Sequence, residues 1–167
     1  TDAMRHVSGC DIAMQNPGGM RADLAAGTIT RGRVYDVMPF DNTIVTMDLP
    51  GREVRRALEQ ALRGARVTQV SGLRYVVDPS KPAMSRVVDL RMPDGSAFDE
   101  SRVYKVAANN FMASGGDNYD ALGQGANRVD TGLVIRGAME AFVRDRCQGG
   151  RTLDVKREGR IRLAGRE

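Results

Sequence analysis

One stretch of the sequence limits the fold more than any other, because it joins a strand directly to an amphipathic helix. From Thr43 to Leu49 apolar and polar residues alternate, which predicts a half-buried strand. After Pro50-Gly51, the segment from Arg52 to Arg63 places apolar residues at helical spacing, with charged residues opposite: Val54, Ala57, Leu58, Ala61 and Leu62. Gly64 ends this pattern. We expect the helix to pack its apolar face on the sheet that contains the strand.

The other predicted elements are short and alternate irregularly. Periodicity predicts further strands over residues 10–14, 68–77, 86–92 and 103–109, with a short edge strand or extended segment over 159–163. It predicts further helices over residues 1–6, 31–35 and 133–146. Because strands and helices mix without a strict strand–helix–strand rhythm, the fold class is α+β or a mixed-sheet α/β. We predict α+β: a single domain, residues 1–167, with a mixed β-sheet flanked by helices.

Composition and charge exclude several classes of protein. The chain of 167 residues is 41% hydrophobic and 28% charged, which is ordinary for a soluble domain, and no apolar run approaches the length of a membrane span. A net charge of +4 suits an anionic ligand, but the basic residues are spread among acidic ones, with no Lys/Arg block. We therefore expect no membrane span and no nucleic-acid partner.

Histidine and cysteine usage limits the chemistry. His6 is the only histidine, which excludes a His-rich metal cluster and a Ser-His-Asp triad built on any other histidine. Cys10 and Cys147 are far apart and form no Cys-x-x-Cys motif, so a pairing between them stays open and inert cysteines are the simpler interpretation. The given sequence shows no signal-peptide pattern and opens without an initiator Met, on residues typical of a helix interior. We expect Thr1 to follow a cut within a longer protein.

The segment from Asn16 to Arg21 combines a side-chain amide, a glycine pair and a guanidinium within six residues. Gly18 and Gly19 permit a backbone turn whose N–H groups converge on one ligand, and Arg21 suits a phosphate or a carboxylate. A plain turn before an exposed arginine is the alternative for this pattern.

A second glycine pair lies in the stretch from Asn110 to Tyr119, which follows a predicted strand. It offers an aromatic residue, Phe111, and the sequence Gly115-Gly116-Asp117. Phe40 follows Pro39 in a third loop, where the proline ring stiffens the backbone. These three stretches are the candidate binding segments.

Taken in order, these motifs resemble those of the C-terminal domain of the 5′-nucleotidase family, which includes bacterial periplasmic UDP-sugar hydrolases and animal ecto-5′-nucleotidases. The resemblance runs from about residue 2 to residue 163. Four landmarks carry it: Asn16-Pro17-Gly18-Gly19-Met20-Arg21, Gly27-Thr28-Ile29-Thr30 continuing to Pro39-Phe40, Gly72-Leu73-Arg74-Tyr75 with Lys81-Pro82, and Asn110-Phe111 with Gly115-Gly116-Asp117. Each landmark alone is weak, and the ordered set is specific.

The resemblance implies a role for each motif residue. Phe40 and Phe111 match the two aromatic residues that sandwich the nucleobase. Asp117 matches the carboxylate that accepts from the ribose hydroxyls, and Asn16 and Arg21 match the polar pair that reaches the ribose and the phosphate. The glycines complete the substrate-binding set: Gly18, Gly19, Gly115 and Gly116.

Each assignment has a structural alternative. Phe40 or Phe111 could be a core residue, and Asp117 could form an Asx-turn or cap a helix. Tyr119 is expected to be a packing residue, and Glu59 a solvated charge on its helix.

The sequence also departs from the family pattern at two positions. Pro17 removes one backbone donor from the turn. Asn118 stands where a glycine is usual, which is tolerable because Asn adopts left-handed conformations.

The function implied by the resemblance belongs to a larger protein. In such proteins an N-terminal metallophosphoesterase domain, absent from this chain, holds two divalent metal ions, while this domain binds the nucleotide or nucleoside. We predict a nucleotide-binding domain of a metal-dependent 5′-nucleotidase that hydrolyses nucleoside monophosphates or UDP-sugars. The resemblance implies a periplasmic, secreted or cell-surface location.

Isolated, this domain would need no cofactor and catalyse nothing. The alternatives are an inactive nucleotide-binding module, or the substrate domain of a related cyclic-nucleotide phosphodiesterase or thiosulfate-cleaving enzyme.

Overall fold

A five-stranded mixed sheet forms the centre of the molecule in the computed structural model, which describes residues 1–64 and 66–165. Its strands run in the order β3-β1-β6-β2-β7. They are β1 (Ile12–Gln15), β2 (Thr43–Pro50), β3 (Gln69–Ser71), β6 (Val103–Asn109) and β7 (Ala126–Val134). Strands β1 and β6 are parallel, and the other neighbouring pairs are antiparallel.

A second sheet of three strands lies beside the first, in the order β5-β4-β8. It contains β4 (Arg74–Val77), β5 (Val87–Arg91) and β8 (Ile161–Leu163). The helices are α1 (Asp2–Ser8), α2 (Arg31–Val37), α3 (Gly51–Arg63), α4 (Asn110–Ala113) and α5 (Ile135–Arg146). The α+β class is confirmed, and the strands are divided between two sheets.

The central strands of the five-stranded sheet are buried on both faces. Alternate residues of its central strands enter opposite cores: Ile12 and Met14 pack in one cluster with α3, whereas Ala13 packs in the other with α1 and α5. Strand β2 divides in the same way, because Val45, Met47 and Leu49 face the α3 side. The predicted packing of α3 on this strand is therefore confirmed.

Gly72 explains why the single strand predicted over residues 68–77 is two strands, β3 and β4, in the structure. Residues 68–77 were expected to be continuous, but Gly72 has a φ of +87° and a Cβ there would lie 2.0 Å from the carbonyl oxygen of Asp11. The chain therefore turns from β3 in the first sheet to β4 in the second. No side chain larger than hydrogen fits this close approach.

Two further expectations need correction. Glu59 is not solvated: it is 3% exposed, and its carboxylate accepts hydrogen bonds from the backbone N–H groups of Arg86 and Val87 at 3.1 and 2.6 Å. Glu59 thus connects the start of β5 to α3 through these hydrogen bonds. The predicted helix from residue 133 begins at Ile135, because Leu133 and Val134 belong to β7, a strand that periodicity missed.

Candidate functional site

Strand topology brings four separate segments to one edge of the five-stranded sheet. Because β1 and β6 are parallel, Asn16 and Asn110 both follow the carboxyl ends of their strands at this edge. Strand β2 is antiparallel to β6, with Ile44 opposite Asn109, so the loop before β2 arrives there too. Strand β3 is antiparallel to β1, with Gln69 opposite Gln15, which brings the segment before β3 to the same place.

Three buried amide side chains form the base of this edge, which we name the polar floor: Gln15, Asn16 and Asn109. The Nδ2 atom of Asn109 donates to Gln15 Oε1 at 3.0 Å and to Asn16 Oδ1 at 2.8 Å. Its Oδ1 accepts from the backbone N–H of Met112 at 2.7 Å, which caps α4. Buried polar groups with complete hydrogen bonds hold one arrangement, so the polar floor is a rigid platform.

Two phenylalanines stand above the polar floor, and we name them the aromatic walls: Phe40 and Phe111. Their exposed fractions are 48% and 47%, so neither ring belongs to the core. Gly116 lies directly against Phe111, because a Cβ at Gly116 would approach three ring atoms to between 2.5 and 2.6 Å. The glycine therefore allows the ring to lie flat on the following loop.

The loop that carries Phe40 is held from α5. The guanidinium of Arg136 donates to the carbonyl oxygens of Met38 and Phe40 at 3.1 and 3.4 Å and to Asp41 Oδ1 at 2.5 Å. Beyond Phe40, Asn42 Nδ2 donates to Asn110 Oδ1 at 2.7 Å. Since Asn110 directly precedes Phe111, this hydrogen bond joins the bases of the aromatic walls.

Asp117 faces the same space from the loop after α4. Its Oδ2 accepts from Asn16 Nδ2 at 2.7 Å, and its Oδ1 accepts from the guanidinium of Arg66. These partners lie on distant segments, so the carboxylate neither caps a helix nor closes a local turn. Asp117 and Asn118 have φ values of 55° and 65°, which confirms that Asn118 adopts the left-handed conformation in place of glycine.

A buried hydroxyl pair supports the loops of Asp117 and Arg66 from below. Tyr119 is fully buried, as expected of a packing residue, and its hydroxyl lies 2.8 Å from Thr68 Oγ1. Burial raises the pKa of Tyr119 to about 12, although the hydrogen bond to Thr68 acts in the opposite direction. The two loops are thus joined through side chains within the core.

The glycine turn differs from the predicted oxyanion cradle. The N–H of Gly19 donates to the carbonyl of Asn16 at 3.2 Å, and the N–H of Arg21 donates to the carbonyl of Val37 at 2.9 Å. These groups bond to backbone instead of converging on a ligand. Gly19 is required for space, since a Cβ there would lie 2.0 Å from Gln15 Nε2. Pro17 opens the turn at its first position, where a missing N–H costs little.

These groups enclose one open cleft of about 470 Å³. Seven predicted residues line it: Asn16, Gly18, Gly19, Arg21, Phe40, Phe111 and Asp117. Gly115 and Gly116 lie outside the lining and shape the loop behind Phe111. Asn42 and Arg66 also line the cleft and were not predicted. The position of Asn42 two residues after Phe40 could have suggested it, whereas Arg66 has no local signal.

Residues 1–64 and 66–165 show neither a metal-binding cluster nor a membrane-spanning helix. No group of three or more His, Cys, Asp or Glu side chains there is arranged to hold a metal ion. None of the helices in this part of the chain has the length and apolar character needed to span a membrane.

The fold and the cleft define an α+β domain with an open site between two exposed aromatic rings. Residues 1–124 match the family model described as 5′-nucleotidase, C-terminal domain. The chain therefore belongs to the 5′-nucleotidase C-terminal domain family.

Two bacterial proteins are similar to this chain over nearly its whole length. The trifunctional nucleotide phosphoesterase protein YfkN of Bacillus subtilis is 35% identical over 167 residues, covering 95% of this chain and 11% of that protein. The cell wall protein Lmo0130 of Listeria monocytogenes is 29% identical over 180 residues, covering 96% of this chain and 22% of that protein.

Among solved structures, the 5′-nucleotidase precursor from Thermus thermophilus superposes with a TM-score of 0.90 at 39% identity, covering 100% of this chain. The chain covers 34% of that structure and 11% to 22% of the two sequence relatives. It is thus similar to one part of each of these larger proteins.

Proposed function

We propose that this chain is the substrate-binding domain of a metal-dependent 5′-nucleotidase that hydrolyses nucleoside monophosphates or UDP-sugars. The observation that supports this best is the cleft itself, where two exposed aromatic rings, a carboxylate and an exposed arginine meet from three distant segments. A nucleotide has a flat base, a ribose with hydroxyl donors and a phosphate, and each group finds a chemical match there.

The aromatic walls bind the base. Phe40 and Phe111 are each about half exposed to water. A base inserted between the two rings stacks on one ring with each of its faces. Stacking on an aromatic side chain contributes roughly 1 to 3 kcal/mol per base and accepts any base, because every base has a π-face.

The polar residues bind the sugar and the phosphate. Asp117 retains acceptor capacity on both carboxylate oxygens for the ribose hydroxyls, since each ionised oxygen accepts more than one hydrogen bond. Arg21 is exposed at the edge of the cleft and supplies a planar cation for phosphate. Gly18 leaves room beside Asp117 and Asn16 for the sugar, because it has no side chain.

The chemical step belongs to another domain in this proposal. Residues 1–64 and 66–165 hold no group of three or more His, Cys, Asp or Glu side chains arranged for a metal ion. We assign the two divalent ions of the family to an N-terminal metallophosphoesterase domain of the same polypeptide. The isolated domain then binds substrate and hydrolyses nothing.

The location proposed for the whole protein is the periplasm, the cell surface or the medium. Its support is the similarity to a cell wall protein of Listeria monocytogenes.

Calorimetry on this chain tests the proposal. The ligands are AMP, adenosine, UDP-glucose and inorganic phosphate, titrated into the wild type and a Phe40→Ala, Phe111→Ala double variant. We expect the nucleoside-bearing ligands to bind the wild type with or without divalent metal, and to lose at least tenfold in affinity in the double variant.

Phe142→Ala is the matched control, because it deletes a partly exposed phenylalanine that is not part of the cleft lining. Equal binding by the wild type and the double variant would contradict the base-binding role. Binding of phosphate alone, with no gain from the nucleoside, would also contradict it.

A further inference from the structure

Arg66 is the charged residue of the cleft that the sequence motifs do not include. Its backbone N–H donates to the carbonyl of Ala61 at 3.2 Å, which fixes it just beyond α3. Its side chain is 50% exposed, lines the cleft and pairs with Asp117 Oδ1. It therefore places a permanent cation at the end of the cleft that the proposed function assigns to the ribose.

The pairing changes what Asp117 presents to a ligand. Asn16 Nδ2 occupies one carboxylate oxygen at 2.7 Å, and Arg66 occupies the other. A lone carboxylate at this end repels any ligand with a negative group on its ribose. With Arg66 beside it, the local charge is offset, and the guanidinium of this cleft-lining residue has further N–H donors besides the one that pairs with Asp117.

We propose that Arg66 is a specificity-determining residue that admits nucleotides carrying a second phosphate on a ribose hydroxyl. This inference rests on the proposed function, because it takes the Asp117 end of the cleft as the ribose end. The ligand class is the nucleoside 5′-phosphates that are also phosphorylated at the 2′ or 3′ position. The added phosphate binds the guanidinium of Arg66, whose planar set of donors matches phosphate oxygens.

The experiment compares AMP with adenosine 3′,5′-bisphosphate and adenosine 2′,5′-bisphosphate by calorimetry at fixed ionic strength. The proteins are the wild type, Arg66→Gln, Arg66→Lys and Arg63→Gln. Arg63 is the matched control, because it is an exposed arginine of the same region that does not line the cleft. Because the Arg66 side chain is half exposed, its pair with Asp117 contributes little to folding, so all variants should melt within a few degrees of the wild type.

We expect the wild type to bind at least one bisphosphate as tightly as AMP or more tightly. Arg66→Gln should lower the affinity for that bisphosphate at least tenfold and for AMP less than threefold. Arg66→Lys should recover part of the loss, since it retains the charge without the planar donors. Arg63→Gln should leave the ratio of the two affinities unchanged.

Two results would overturn this inference alone: both bisphosphates binding the wild type at least tenfold more weakly than AMP, or Arg66→Gln lowering all affinities by the same factor. In each case AMP binding that remains sensitive to Phe111→Ala keeps the proposed function intact. Absence of binding by all three nucleotides would overturn both.

Discussion

The polar floor and the aromatic walls reverse the usual distribution of side chains. Gln15, Asn16 and Asn109 are at most 4% exposed, whereas Phe40 and Phe111 are nearly half exposed. Folding alone does not favour exposed phenylalanine, but it does require hydrogen bonds for every buried amide. From this comparison we expect the polar floor to contribute to stability, and we expect the aromatic walls to contribute to binding under the proposed function. Substitutions in the two regions should therefore change different quantities.

Within the two compared regions, the largest effect is expected from Asn109→Leu in the polar floor. The variant removes three hydrogen bonds, to Gln15, Asn16 and the N–H of Met112. It leaves buried partners unsatisfied and α4 without its cap, so the free energy of unfolding in urea should fall by about 2 to 4 kcal/mol. Gln148→Ala, at an exposed amide, should change it by less than about 0.5 kcal/mol. A loss below about 1 kcal/mol for Asn109→Leu would mean that the polar floor is not rigid.

Alkaline pH should weaken the support beneath the cleft. The pKa of Tyr119 is about 12 in the folded protein because of burial, above the ordinary value of 10.0. Burial also raises the pKa of Tyr75, whose hydroxyl donates to the carbonyl of Thr68. A raised folded pKa gives stability that is complete below about pH 10 and is lost as pH rises through the folded value.

Urea unfolding between about pH 9 and pH 11.5 checks this slope. Between these pH values the free energy of unfolding should fall by about 2 kcal/mol less in Tyr119→Phe than in the wild type. This difference in slope does not depend on the effect of the substitution at neutral pH. Tyr35→Phe is the control, since Tyr35 is 52% exposed. The same slope in the wild type and Tyr119→Phe would show that this hydroxyl is not held in its protonated form.

Gly116→Ala tests the aromatic walls, because it should change binding more than stability. The added methyl group meets the Phe111 ring, which is half exposed and can move away, so stability should change by less than about 1 kcal/mol. The affinity for adenosine should fall by about 1 to 2 kcal/mol, because the ring no longer offers its face. Gly123→Ala is the control, since no atom lies within 4 Å of its added methyl group. Unchanged adenosine affinity in Gly116→Ala would remove Phe111 from the site.

The smallest expected effect is that of Phe40→Ala on folding. Because the ring is 48% exposed, the free energy of unfolding should change by less than about 0.5 kcal/mol. Phe98→Ala should instead cost about 3 to 5 kcal/mol, since Phe98 is 8% exposed and stacks on Tyr104 at 4.7 Å between ring centroids. Thermal melts of the two variants check the difference. A large loss of stability in Phe40→Ala would contradict this prediction and would show that the Phe40 ring packs in the core.

The sequence predicts the helices and strands whose apolar periodicity is visible within one segment. It does not predict contacts between distant segments, because these depend on how the strands pair. The stripe of α3 and the alternation of β2 are visible because each element packs one apolar face, and both are confirmed. Glu59 was misassigned because a buried carboxylate looks like a solvated one until its partners on Arg86 and Val87 are known. Strand β7 was missed because its residues are mostly exposed at the edge of the sheet.

The cleft shows the same division. Phe40, Phe111 and Asp117 lie in short motifs, so a resemblance to a family can mark them, and the structure brings them to one cleft. Arg66 is placed at the cleft by its backbone hydrogen bond to Ala61 beyond α3 and by the antiparallel pairing of β3 with β1, and no local sequence pattern predicts this placement. The N–H groups of the glycine turn were predicted to face a ligand, but a neighbouring carbonyl already accepts from Gly19.

The half-exposed ring of Phe40 also has an optical consequence. The chain has no tryptophan, and three of its four tyrosines, Tyr75, Tyr104 and Tyr119, are buried. Phe40→Trp would thus introduce a single indole at the mouth of the cleft, against a background of tyrosine emission alone. Excitation at the red edge of the tryptophan absorption band, where tyrosine does not absorb, would report only on that position. Ligand occupancy of the cleft could then be followed within seconds as quenching of the tryptophan emission.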